Sequence, residues 1–338
     1  MTSVDPDIAA LIAAGRAAGS PPFEAMTLDQ ARLTHASRRT THQVAAQAVS
    51  ERRDFSVPGP AGPIRLRLYR PAGMPVDSVL PCLVFMHGGG WVLGSLDSHD
   101  GLCCRLANQA HCCIIAIDYR LAPESPFPSA LDDCVAAYRA IVADAAALKI
   151  DPARIAVGGD SAGGNFAAVL ALLGRDGIVP PPLQQTLIYP VVDLDQDLDD
   201  YGPNSAGMLI TGATMVYFRD QYTPNAADRV DWRASPLKVT SLAGVAPALV
   251  IVCGHDPLRA EGRAYAERLE REGVKVTLLY LSDQPHGVIT MTGITHAAID
   301  LQDVVAMSLR DAFRSPAFRL AIASANKTSA VTNDEQGD

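Results

Sequence analysis

The strongest constraint in this sequence is the stretch Val157-Gly158-Gly159-Asp160-Ser161-Ala162-Gly163-Gly164-Asn165, which sets G-x-S-x-G at Gly159, Ser161 and Gly163. The run Ile155-Ala156-Val157 leads in, and Phe166-Ala167-Ala168-Val169-Leu170-Ala171-Leu172-Leu173, suited to a helix, leads out. Strand, sharp turn, helix is the setting in which this motif exposes a serine hydroxyl at a helix N-terminus. Such a turn strains the backbone at the serine, and a Cβ on a flanking position would collide with the neighbouring strand or helix. Glycine and serine also make plain surface turns, so the motif means catalysis only if the chain supplies a base, a carboxylate and an oxyanion hole.

The bulk properties permit this reading. With 48% hydrophobic and 19% charged residues, a chain of 338 residues buries a large core, and α/β enzymes with insertions reach this length. A net charge of −9 without a Lys/Arg cluster argues against nucleic acid or an anionic membrane surface, and for a small-molecule partner. Residues 1–7 are acidic and contain proline where an export signal carries positive charge, and no stretch reaches about 18 uninterrupted apolar residues. A cytoplasmic protein without stable membrane anchoring is expected. The seven cysteines lie mostly within apolar runs and lack C-x-x-C spacing, which points to buried reduced thiols and not to zinc or a redox motif. Asp193, Asp195, Asp197, Asp199 and Asp200 lack the glycine and terminal glutamate of a calcium loop and read as a solvated acidic loop. No metal site is expected.

Along the chain, residues 1–50 are alanine-rich and helix-forming, an amphipathic arm with no strand signal. The first strand is expected in the alternation Ile64-Arg65-Leu66-Arg67-Leu68-Tyr69, bounded by a turn cluster from Pro58 to Pro63. The continuous apolar run Pro81-Cys82-Leu83-Val84-Phe85-Met86 predicts a buried parallel strand ending in His87-Gly88-Gly89-Gly90-Trp91. Further strands are expected at 112–118, 185–189, 248–253 and 275–280, with helices over 130–144, 213–222 behind Thr211 as N-cap, and 297–312. Strands alternating with helices predict an α/β fold: a mostly parallel central sheet flanked by helices. Its core is assigned to 51–194 and 237–322. The Asp-, Gly- and Pro-rich segment 195–236 reads as a cap insertion joined by the 1–50 arm, and 323–338 as a polar, disordered tail.

A serine hydroxyl needs an imidazole to take its proton and a carboxylate to fix that imidazole's tautomer. Of eight histidines, His286 follows the last strand at the C-terminal edge of the sheet, where ligands bind in open α/β folds; His296 is the second candidate. Asp256 directly follows the 248–253 strand and is the expected carboxylate, although an N-cap before Pro257 is an alternative role. The order Ser161, Asp256, His286 is that of a hydrolase triad on an α/β sheet. The oxyanion hole is expected from the backbone N–H groups of Gly88, Gly89 and Ala162, with His87 bracing the loop.

His87-Gly88-Gly89-Gly90-Trp91, Asp118-Tyr119-Arg120-Leu121-Ala122-Pro123-Glu124, Gly159-Asp160-Ser161-Ala162-Gly163-Gly164, Asp256-Pro257-Leu258-Arg259 and His286-Gly287 together resemble the hormone-sensitive-lipase-like (bacterial family IV) esterases of the α/β-hydrolase superfamily. The resemblance spans residues 81–287. It implies an α/β-hydrolase fold with a helical cap, a serine carboxylesterase acting on short- to medium-chain acyl esters, and no metal or organic cofactor. It is compatible with a homodimer. An amidase or peptidase would use the same triad, and a non-catalytic small-molecule receptor would lack the histidine that His286 supplies. Two positions depart from the family pattern: Ala260 replaces an aspartate, and Val288 a frequent phenylalanine. Trp91, Leu93, Met208, Leu209, Tyr217, Phe218 and Val288 are candidate pocket walls, and each fits ordinary core equally well.

Overall fold

The computed structural model describes residues 2–75 and 77–314, so the tail expected over 323–338 and the end of the segment assigned to 237–322 lie outside the described residues. Eight strands, β1 (Glu51–Gly59), β2 (Gly62–Arg70), β3 (Leu80–Met86), β4 (Cys113–Asp118), β5 (Ile150–Asp160), β6 (Gln185–Ile188), β7 (Ala248–His255) and β8 (Val276–Pro285), form one sheet in the order β1-β2-β4-β3-β5-β6-β7-β8. β1 and β2 pair antiparallel, as do β2 and β4; every other neighbour pair is parallel.

Sequence alternation missed β1. Its first half, Glu51-Arg52-Arg53-Asp54, is charged on both faces at an exposed edge, and only Phe55 and Val57 reach the core. Charge on an edge strand also blocks pairing with other chains. Its register comes from the turn at residues 60–61, which sets Pro58 opposite Pro63, and from Asp54 opposite Arg67, whose guanidinium holds the carboxylate.

The inner strands explain their own composition. In β3, Cys82, Val84 and Met86 enter one buried cluster while Leu83 and Phe85 enter the other, so both faces are covered and every residue is apolar. Each fully buried aliphatic side chain of this kind stabilises the fold by about 1.5–3 kcal/mol. Helices α3 (Asp100–Ala110) and α8 (His296–Ala312) cover one face together with α1 (Pro6–Ala17); α4 (Ser129–Ala143), α5 (Ala162–Arg175) and α7 (Arg259–Arg271) cover the other. α5 is buried from Ala162 to Gly174, which is why it is apolar all round. All seven cysteines are buried and unpaired. No described helix is long and apolar enough to cross a membrane.

Two further helices stand at the C-terminal edge of the sheet. α2 (Leu28–Thr41) opens with a capping box between Thr27 and Gln30 and is tied down by Arg32, which bonds both oxygens of Glu124, at 2.6 and 2.7 Å, and the carbonyls of Val92 and Ala122. α6 (Gly212–Tyr222) starts behind Thr211, whose hydroxyl accepts from the Thr214 N–H. The two regions touch: Thr214 donates to Glu24 at 2.8 Å, and Arg16 donates to the Gly207 carbonyl at 2.9 Å.

The elbow is the tightest point of the fold. A Cβ on Gly163 would lie against the Met86 carbonyl at the end of β3, with the His87 carbonyl 2.8 Å away, and both are backbone atoms with little freedom to move. Gly163→Ala is therefore expected to cost about 1–3 kcal/mol, measured as a shift in the denaturant midpoint at unchanged slope.

Candidate active site

Ser161 closes β5 and opens α5 with φ 56° and ψ −118°, a positive φ that a residue with a side chain adopts only when its surroundings force it. They do so here: the Ser161 N–H donates to the Ile188 carbonyl at 2.8 Å, and the Ser161 carbonyl accepts from Asn165 N–H at 3.1 Å. The side chain is thereby pushed off the end of the sheet.

Asp256 leaves the end of β7 and His286 the end of β8, both on the side where Ser161 leaves β5. His286 Nδ1 lies 2.9 Å from Asp256 Oδ2, and His286 Nε2 lies 2.9 Å from Ser161 Oγ. An ionised carboxylate only accepts, so Nδ1 carries the proton, and in the neutral ring Nε2 is left to accept from the serine hydroxyl. Asp256 is fully buried, and its other oxygen accepts from Leu258 N–H at 2.8 Å, a local turn; α7 itself begins at Arg259 with Leu258 at its N-cap. The N-cap role considered for Asp256 is thus replaced by a turn before the helix. The Tyr189 ring, 4.6 Å from that of His286, holds the imidazole from the side. His296 is exposed at the first turn of α8 and takes no part. Ala260 is exposed on α7, so the hydrogen bonds to Asp256 do not depend on it.

The glycine loop after β3 corrects one expectation. The Gly88 N–H donates to Asp160 Oδ1 at 2.8 Å and is not available to a ligand. The N–H groups of Gly89, Gly90 and Ala162 have no protein acceptor among the described residues. Asp160 is buried, with His99 Nε2 at 3.0 Å from the same oxygen. Burial alone would raise the Asp160 pKa, but His99 and the Gly88 N–H outweigh it and hold the carboxyl below its usual 3.8. His87 braces the loop: Nδ1–H donates to the Gly88 carbonyl at 2.8 Å, and Tyr119 donates to the His87 carbonyl at 2.6 Å beneath its ring. Burial and neighbouring His99 push the His87 pKa down to about 4, so it is neutral near pH 7. Neither Asp160 nor His99 stood out in the sequence; the signal was an aspartate beside the nucleophile whose side chain points away from the elbow.

A cavity opens over Ser161 and His286. Of the seven candidate walls, Leu93, Leu209 and Phe218 line it. Gly90, at φ +60°, leaves room for the Phe218 ring, which a Cβ there would strike. Trp91, Met208, Tyr217 and Val288 stand back from the cavity. Trp91 is buried flat against Tyr222 at 4.5 Å, Val288 belongs to the buried cluster with Leu301 and Val305 of α8, Tyr217 lies beside Phe218, and Met208 packs at that cluster's rim. The walls not foreseen include several from before β1, namely Phe23 and His35, Arg38, Arg39 and His42 of α2 and its end, together with Ile210, Met215 and Met291. Among the described residues no group of His, Cys, Asp and Glu is arranged to hold a metal ion.

A serine on a strained strand-to-helix turn, with an imidazole and a buried carboxylate in line, defines a nucleophilic hydrolase site on an α/β sheet. The profile of the alpha/beta hydrolase fold family matches residues 83–290, and the chain belongs to that family, in its hormone-sensitive-lipase-like esterase branch. It is 39% identical over 302 residues to the ethyl acetate hydrolase of Pseudomonas putida, covering 88% of this chain and 95% of that one. The carboxylic ester hydrolase LipN of Mycobacterium tuberculosis is 44% identical over 244 residues; the match takes in 70% of this chain and 64% of LipN, under two thirds of that relative. Among solved structures, the α/β hydrolase LAE6 from the metagenome of Lake Arreo superposes with a TM-score of 0.88 at 37% identity, covering 92% of this chain and 99% of LAE6. The hyperthermophilic esterase of Pyrobaculum calidifontis gives 0.85 at 32% identity, covering 92% and 99%.

Asp160→Asn is expected to lower stability at pH 7 by about 1–3 kcal/mol, since it removes the charge facing His99 and Gly88. A carboxylate with a lowered folded pKa stabilises above its unfolded pKa, so the gap between wild type and variant should close as pH falls below 3.8. Denaturation curves at stepped pH measure it.

Proposed function

We propose that this chain is a serine carboxylesterase in which Ser161 is the nucleophile, His286 the general base and acid, and Asp256 the residue that orients His286. The observation that carries this reading is the unbroken hydrogen-bonded line Asp256–His286–Ser161, with 2.9 Å at each imidazole nitrogen. Ser161 Oγ attacks the ester carbonyl as His286 Nε2 takes its proton; the tetrahedral oxyanion is met by the N–H groups of Gly89, Gly90 and Ala162. His286 returns the proton to the leaving alcohol, and water activated by the same imidazole cleaves the acyl-enzyme. Each oxyanion donor contributes about 3–4 kcal/mol to such a transition state.

Residues 1–50 and 195–236 act together as a helical cap over the 51–194 and 237–314 core. Support comes from the cavity walls they provide, Phe23 and His35 from one and Leu209 and Phe218 from the other, and from their mutual contacts. The size of a cavity bounded by these groups favours short and medium acyl chains, and the naming of the Pseudomonas relative for ethyl acetate is in line with this. The buried thiols support a cytoplasmic location. The outer edge of β8, where Leu278 and Tyr280 are exposed, supports a homodimer.

Hydrolysis of p-nitrophenyl esters from acetyl to palmitoyl, set against matched anilides, tests the class: short and medium esters should be turned over and anilides should not. Ser161→Ala and His286→Ala should each lower kcat by about 10⁴-fold or more. Near-normal turnover by either variant overturns its assigned role. In sedimentation, wild type should run as a dimer and Tyr280→Lys as a monomer; a monomeric wild type removes the dimer.

A further inference from the structure

The face that α2 turns toward Ser161 is not the apolar stripe such a helix usually presents to a protein interior. His35, Arg38, Arg39 and His42 recur at i, i+3, i+4 and i+7, and all four line the cavity that holds Ser161 and His286. Arg39 is exposed and lies 3.8 Å from Asp97. The nearby Arg32 is fully matched by Glu124 and two carbonyls. Arg38 is different. Its guanidinium sits over the Phe23 ring at 4.6 Å, which steadies the cation but satisfies none of its N–H donors. Burial alone acts on it, no acceptor among the described residues offsets it, and its pKa is pushed down to about 10, so it stays charged near neutral pH.

Arg38 is half-buried, and a cation partly withdrawn from water with no counter-charge is costly, a cost recovered when an anion pairs with it. The other groups around Arg38 do not provide one. Burial first, and then the Arg38 charge itself, push His35 to about 3 and His42 to about 4, so both rings are neutral. The lining carboxylate, Asp160, is engaged by the Gly88 N–H and faced by His99. One unmatched planar guanidinium fits a single carboxylate, which it can meet through two parallel hydrogen bonds, better than a dianionic phosphate that would call for more donors.

We propose that Arg38, with His35 and His42 beside it, forms a second binding subsite, and that the enzyme's preferred substrates are esters bearing a free carboxylate, such as monoesters of dicarboxylic acids. The inference rests on the esterase reading of Ser161. The carboxylate pairs with Arg38 while the ester carbonyl reaches Ser161, so binding at the far end of the substrate positions the reacting end. Ser161 Oγ displaces the alcohol, which leaves with the serine proton by way of His286; water then cleaves the Ser161–acyl bond, and the acyl half departs as a dicarboxylate with one proton released to solvent.

The test compares monoethyl adipate with its neutral isostere ethyl 6-methylheptanoate by pH-stat, repeated across monoethyl succinate to monoethyl suberate to find the spacer that fits. In wild type, kcat/KM for the best-fitting half-ester should exceed that of the neutral ester by about tenfold or more. Arg38→Met should abolish that preference, and Arg38→Lys, which keeps the charge but not the fork, should restore part of it. A wild-type ratio of one or less, or a ratio unchanged in Arg38→Met, overturns the proposal. If Arg38→Met does not fold, inhibition of wild-type p-nitrophenyl butyrate hydrolysis decides: adipate should compete and 1,6-hexanediol should not, and equal inhibition by the two overturns the subsite. Failure of wild type on every ester, p-nitrophenyl butyrate included, would instead remove the esterase reading.

Discussion

Everything at this site depends on one backbone contact, the approach of the elbow to the end of β3. Gly159 and Gly163 lie so close to the Met86 carbonyl that neither position has room for a side chain. That approach places the glycine loop beside Ser161 and brings Asp160 within reach of the Gly88 N–H. Parallel pairing of β3 with β5 fixes the distance, with Met86 opposite Gly159. Replacing either glycine would push the loop and the serine apart before it touched any catalytic group.

The electrostatics of the site follow from the same compactness. His87 is buried and His35 half-buried, and withdrawal from water leaves both neutral near pH 7, while the triad imidazole is held between an acceptor-only carboxylate and a hydroxyl. Asp160, buried like His87, is held in its charged form by His99 and the Gly88 N–H, which outweigh the cost of burial.

Much of this was legible in the sequence because it is written in local patterns. Continuous apolar runs marked β3, β4 and β7, and the glycine motifs marked the two turns that meet at Ser161. Other features depended on tertiary placement and carried no local mark. β1 opens with the charged run Glu51-Arg52-Arg53-Asp54 and offers only Phe55 and Val57 to the core, too short an alternation for periodicity to register. Three consecutive glycine N–H groups look alike in sequence, and only the position of Asp160 reveals that the first is taken. Trp91 and Val288 lie next to site residues in the chain, yet the strand ends turn them inward, while Phe23 and Arg38, distant in sequence, reach the cavity. An amphipathic arm was evident over the first residues, but not which of its faces would look at the serine.

Arg32 anchors α2 to Glu124, Val92 and Ala122 and takes nothing from the sheet's own ladder. The wall carrying Phe23, His35 and Arg38 is therefore attached at a clasp, whereas Ser161, Asp256 and His286 are fixed by the register of β5, β7 and β8. The two parts of the protein are free to diverge at different rates in evolution. Substitutions along α2 can exchange one clientele of molecules for another while the reacting atoms stay where they are.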